Sequence, residues 1–143
     1  MKLIASNKKA YHDYEIIKKY EAGISFYGSE IKSIRNSSPS MIGSFVTVNK
    51  KGATLINLNV PDYKYSPQYL KHDPTRSRRL LLHKRELRRI KQQVDEKKLI
   101  VVPLKLYWTP NSLIKVEIAT AKPLKKYDLR EKSKERAIKR NQW

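Results

Sequence analysis

Leu99-Ile-Val-Val-Pro-Leu-Lys-Leu-Tyr-Trp108, Thr109-Pro-Asn-Ser112 and Leu113-Ile-Lys-Val-Glu-Ile-Ala119 follow one another without a break. In the last of these, Ile114, Val116 and Ile118 alternate with other residues, a period of two that fits a strand with one buried face. The first run is apolar almost throughout and reads as a second strand. Thr109 to Ser112, with Pro110 and Asn111, is the turn between them. Two strands joined in this way make an antiparallel pair, and the pair points to a mainly β fold with some α.

Working outward, residues 44–48 and 54–60 place Val46 and Val48 on one face and Ile56, Leu58 and Val60 on another. Asn49-Lys-Lys-Gly52 separates them, which predicts a hairpin. Tyr14, Ile16, Tyr20, Ala22 and Ile24 sit at even positions, interrupted by Lys18, and read as a strand. A helix would also bring Ile16, Ile17, Tyr20 and Ile24 together. Gly23 inside this run predicts a bulge or bend. Gly28 to Asn36, with Ile31 and Ile34 three apart, predicts a short helix that Asn36-Ser-Ser-Pro-Ser40 ends. Leu87, Ile90 and Val94 make one apolar stripe on a helix over 83–98.

Residues 1–10 read as a short basic arm and residues 61–79 as an irregular loop with three prolines. Residues 122–143 hold nine Lys and Arg against three acids. Their few large apolar side chains bury little, so this stretch is expected to be disordered when free and to fold on a partner. The arrangement is a small antiparallel barrel of the oligonucleotide-binding type over residues 1–121, with two or three helices, followed by a flexible basic tail.

The chain has 143 residues, 32 Lys and Arg, 13 Asp and Glu, and a formal net charge of +19. Such charge repels itself unless a polyanion offsets it, which makes nucleic acid the first partner to consider. The absence of cysteine excludes disulfides, thiolate zinc sites and a thiol nucleophile. No apolar run is long enough to cross a bilayer, and the N-terminus lacks the core of a signal peptide. A cytoplasmic protein is expected, with no membrane partner.

Arg76, Arg78, Arg79, Lys84, Arg85, Arg88 and Arg89 lie close together, with Glu86 as the single acid among them. A merely solvated helix face usually alternates sign, so this cluster predicts phosphate contact. Tyr63, Tyr65 and Tyr69, in the loop, are candidates for stacking on unpaired bases. Tyr14, Tyr20, Tyr107 and Trp108 fit the core or its rim. His12, His72 and His83 have no partner at metal-ligand spacing; a capping or packing role suits His83. Asp73-Pro74 reads as a turn initiator. For Glu30, a salt bridge to Lys32 or Arg35 is the simplest reading. There is no glycine-rich phosphate loop and no catalytic motif, so neither cofactor nor metal is expected. No helix-turn-helix spacing follows the basic helix, which tilts the choice from DNA to a folded RNA. A structural ribosomal protein fits the composition equally well, and a small nuclease using His12 or His72 is a third reading.

Six blocks also resemble a known family. They are Asn7-Lys-Lys-Ala-Tyr-His-Asp-Tyr14, Tyr20-Glu-Ala-Gly-Ile24, Gly28-Ser-Glu-Ile-Lys-Ser-Ile-Arg35, His72-Asp-Pro-Thr-Arg76, Leu80-Leu-Leu-His-Lys-Arg-Glu-Leu87 and Val102-Pro-Leu-Lys-Leu-Tyr-Trp108. In this order they are similar to the SsrA-binding protein, or small protein B (SmpB), family. The resemblance implies a bacterial barrel that grips the tRNA-like domain of transfer-messenger RNA. It implies delivery of that RNA to ribosomes stalled on broken messages, with no enzymatic step of its own and a single copy on the RNA. It also implies RNA-binding roles for Asn7, Glu30 and Lys115, and a place for His12 near the RNA and the small ribosomal subunit. Glu30 would then contact a base or 2′-hydroxyl or orient Arg35. Lys8, Lys9, Arg35, Arg76, Arg78, Arg79, Lys84 and Arg85 complete the expected RNA surface. The tail would enter the message channel near the decoding region, through Lys125, Lys126, Tyr127, Asp128 and Arg130. Here Pro123, Leu124 and Leu129 stand where the family usually has a glycine and two lysines.

Overall fold

The structure is a computed structural model that describes residues 2–61 and 73–124. Along them run β1 (Lys2–Ser6), α1 (Lys8–Asp13), β2 (Tyr14–Ile24), α2 (Gly28–Asn36) and β3 (Phe45–Asn49). β4 (Gly52–Ile56), β5 (Arg78–Leu81), α3 (Lys84–Lys97), β6 (Ile100–Trp108) and β7 (Ile114–Pro123) follow. The strand order is β1-β6-β3-β4-β5-β2-β7, and β7 also pairs with β6. That last pairing closes six strands into an antiparallel barrel, with β1 added to β6. Closure satisfies the strand edges that an open sheet would leave exposed.

The period-two residues fill the barrel. Ile114, Val116 and Ile118 of β7 meet Tyr20, Ala22 and Ile24 of β2, Leu55 of β4 and Leu106 of β6. α3 plugs this core with the stripe read from the sequence: Ile90 is fully buried, and Leu87 and Val94 pack beside it. The predicted β3–β4 hairpin forms. Asn49 Oδ1 accepts from the amides of Lys51 (2.8 Å) and Gly52 (3.0 Å), which fixes the turn. Asp73 likewise starts a turn, its Oδ1 accepting from the Thr75 amide at 3.0 Å.

Residues 2–10 do not form an arm. They supply β1, which pairs with β6 and packs Ile4 and Ala5 on the barrel core, and the start of α1, which covers a small cluster outside it. The β6–β7 register shifts between Pro103 and Lys105. One extra residue reverses the facing of side chains beyond it. Val101 and Leu106 therefore both reach the barrel core, while Val102 and Leu104 join Ala10, Ala119 and Ala121 in a small outer cluster. The alanines of β7 leave room for α1 to lie on the strands. Asn7 staples the two parts. Its Oδ1 accepts from the Ala10 amide (3.2 Å), its Nδ2 donates to Pro103 O (2.9 Å), and its amide donates to Leu104 O (2.8 Å). Asn7→Ala removes both side-chain bonds and is expected to cost about 1–2 kcal/mol. Thermal unfolding of the variant checks this; an unchanged melting temperature would refute the staple.

Other differences have local causes. The bulge in β2 lies between Ile16 and Lys18, not at Gly23, and turns Ile17 outward. Gly23 keeps both its pairings; a Cβ there would sit 3.3 Å from Leu81 Cβ. The strand expected over 54–60 stops at Ile56, because Asn57 adopts φ 62°. Leu58 and Val60 are nevertheless fully buried. The expected loop 61–79 yields β5 at its end. β7 continues past Ala121: Lys122 and Pro123 pair with Glu15 and Tyr14, and the Leu124 amide donates to Asp13 O at 3.1 Å. The paired structure thus overruns the expected boundary at residue 121.

Candidate nucleic-acid interface

Glu30 sits in the first turn of α2 with no exposed surface, and Arg78 of β5 is equally buried. Arg78 Nε donates to Glu30 Oε2 at 2.8 Å, and its Nη2 makes a second short bond to the same oxygen. The remaining Arg78 donors reach Leu58 O (2.6 Å), Arg76 O (3.1 Å) and Pro74 O (3.2 Å). Arg76 bonds the same carboxylate, with Nε 3.2 Å from both oxygens and Nη2 2.5 Å from Oε1. The Tyr27 amide donates to Oε1 at 2.8 Å. Burial pushes the Glu30 carboxyl up, but the bonds from Arg76, the Tyr27 amide and Arg78 outweigh it and hold the group below its ordinary range.

Two expectations are therefore corrected. Glu30 has no surface with which to touch a base or 2′-hydroxyl, and neither Lys32 nor Arg35 is its partner. Arg78 cannot contact phosphate, since every donor faces inward. The physical reason is topological: the partners lie 46 and 48 positions from Glu30, and only the docking of α2 on β5 joins them. Arg35 is exposed and places its guanidinium 5.8 Å from the Trp108 ring centroid.

A second network lies on the outer face of β2, β6 and β7. Lys115 Nζ is 2.8 Å from Glu21 Oε1, and the Tyr107 hydroxyl donates to Glu21 Oε2. Lys115 and Tyr107 together hold the Glu21 carboxyl below its ordinary range. Burial, reinforced by Glu21, pushes the Tyr107 hydroxyl up. Glu21, Lys115, Gly23, Leu81, Leu82, His83 and Glu86 border one shallow depression. Sequence reasoning missed Glu21. The diagonal meeting of Glu21 with Lys115 becomes visible only once the β2–β7 register pairs Gly23 with Lys115.

Lys84 and Arg85 are exposed at the start of α3, next to that depression, and Arg88 and Arg89 are exposed further along the helix. His83 holds the N-cap position without a capping bond from its side chain. Arg79 is exposed and donates to Lys51 O at 2.6 Å. Asn7 and Lys9 border a separate depression with Asp13 and Tyr14. Lys8 is exposed, and His12 Nδ1 lies 2.9 Å from Asp13 Oδ1. The described residues thus divide the expected contacts between two regions. Tyr63, Lys64, Tyr65, Tyr69, Lys71 and His72 lie outside the described residues, as do Lys125, Lys126, Tyr127, Asp128 and Arg130. Among the described residues no cluster of three or more His, Asp or Glu is placed to hold a metal, and no helix is long and apolar enough to cross a membrane.

The family described as SmpB protein matches residues 4–143. The SsrA-binding protein of Thermosipho africanus is 48% identical over 140 residues, covering 98% of this chain and 93% of that protein. The SsrA-binding protein of Mycoplasmopsis pulmonis is 47% identical over 133 residues, covering 93% and 89%. A solved chain reported with tmRNA-SmpB and the center of the bacterial ribosome aligns with a TM-score of 0.70 at 39% identity. It covers 89% of this chain and 92% of that one. Matched from residue 4 onward and almost half identical to these relatives across both lengths, the chain belongs to the SmpB family.

Proposed function

We infer that this protein binds the tRNA-like domain of transfer-messenger RNA (SsrA RNA) and delivers it to stalled ribosomes for trans-translation. Its relatives are SsrA-binding proteins over nearly their whole length, and this is the observation that carries the reading. The charge of +19 gives it a physical basis, because phosphate contacts release counterions and dominate affinity.

The protein acts as a binding partner and not as a catalyst, in the bacterial cytoplasm, as a single copy on the RNA. Lys8, Lys9, Arg79, Lys84, Arg85 and Lys115 are the residues we assign to phosphate contact. For Lys115 this means exchanging Glu21 for a phosphate oxygen. Asn7, Glu30 and Arg78 shape the surface from behind it. Lys125, Lys126, Tyr127, Asp128 and Arg130 are assigned to the ribosome, in the message channel.

Purifying the protein from its own cells and sequencing the RNA that accompanies it tests the reading. One transcript, transfer-messenger RNA, is expected to dominate, and a wash in high salt should release the protein from ribosomes. A random RNA mixture, or retention on subunits after that wash, would instead mark a structural ribosomal protein.

A further inference from the structure

The backbone of Tyr27 serves as the N-cap of α2, its amide bonded to Glu30 and its carbonyl accepting from Ile31, but its ring has no such part in the fold. The residue is 59% exposed. The Arg76 guanidinium lies 3.9 Å from the ring centroid and covers one face. Arg76 is itself fixed by three bonds to the buried Glu30 carboxylate and by Nη2 to Ser25 O at 3.3 Å. The Tyr27 amide donates to the same Glu30 carboxylate. Ring, cation and backbone are thus anchored to one interior group, while the second ring face is left to solvent.

We propose that this second face is a stacking platform for one unpaired nucleobase of the bound RNA. The proposal rests on the RNA-binding reading above and adds a contact that is not phosphate. A base offers a flat π-face, and an aromatic ring already locked in place loses little conformational freedom on receiving it. The guanidinium behind the ring completes a cation–aromatic–base layer of the kind that holds splayed-out RNA bases. Lys32 and Arg35 are exposed along the same helix and offer charge to the neighbouring phosphates.

The test uses the full-length protein and the tRNA-like domain of transfer-messenger RNA, with 2-aminopurine placed at one unpaired loop position at a time. Wild type is expected to change the fluorescence at one position. Tyr27→Ala should abolish that change and weaken binding about tenfold, the effect of losing one base stack. Tyr27→Phe should keep both properties, since stacking needs the ring and not the hydroxyl. Melting temperatures should stay close to wild type, because the ring is exposed. Affinity within twofold of wild type and an unchanged fluorescence signal in Tyr27→Ala would overturn the proposal. So would a defect confined to ribosome association, which would make Tyr27 a contact for a ribosomal partner. Failure of wild type itself to prefer this RNA over tRNA would instead sink the functional reading.

Discussion

Removal of residues 125–143 is expected to abolish tagging on stalled ribosomes while changing affinity for transfer-messenger RNA by no more than about threefold at moderate salt. The segment carries eight of the 32 Lys and Arg residues, so the barrel keeps most of its positive field. The cut belongs after Leu124. Lys122 and Pro123 close β7 on Glu15 and Tyr14, and Leu124 bonds to Asp13. Ending the chain at Ala121 would open that pairing and confuse a folding defect with a tail defect. A cell-free tagging reaction and a binding titration on the same preparation check both halves. Lost RNA affinity with an unchanged melting temperature would move RNA contacts into the tail.

The largest effect on stability is expected from Glu30→Ala. Arg78 would remain inside the protein as an unpaired cation, which typically costs about 3–5 kcal/mol. That is a large share of the roughly 5–15 kcal/mol that holds a domain together. In a protein of this size it lowers the melting temperature by about 10–20 °C. The paired change Glu30→Met with Arg78→Met should recover part of the loss, since neither charge is then stranded. Thermal melts of the three variants decide it; a Glu30→Ala protein that melts like wild type would show that the pair is solvated. The pH dependence has a definite sign. The folded pKa of Glu30 lies below its unfolded value. Its contribution is therefore complete above the unfolded pKa of about 4.3 and disappears as pH falls through the lower folded value. The stability difference between wild type and Glu30→Gln should shrink in that acid window.

Much of the barrel is legible in the sequence itself. Ile114, Val116 and Ile118 advertise one buried face of β7, and Leu87, Ile90 and Val94 advertise the face of α3 that plugs the core. Those patterns are local, and local patterns survive in a single sequence. What was hidden is long-range. β1 and α1 look like a charged arm because what they pack on, β6 and the outer cluster of Val102, Leu104, Ala119 and Ala121, lies far along the chain. Arg78 looks like one more surface cation because its carboxylate partner is 48 positions away. Glu21 attracted no notice, since its partners Lys115 and Tyr107 arrive from two other strands. Composition pointed to the start of α3, where Lys84 and Arg85 are exposed. It could not tell which arginines face solvent and which hold the interior together.

Competition between the tRNA-like domain of transfer-messenger RNA and bulk tRNA, at about 150 mM salt, addresses the selectivity of the barrel most directly, because general electrostatics are partly screened there. Binding should favour transfer-messenger RNA by at least ~100-fold, with a salt slope equivalent to several phosphates. Equal affinity for the two RNAs would reduce the barrel to a general polycation and contradict the proposed function.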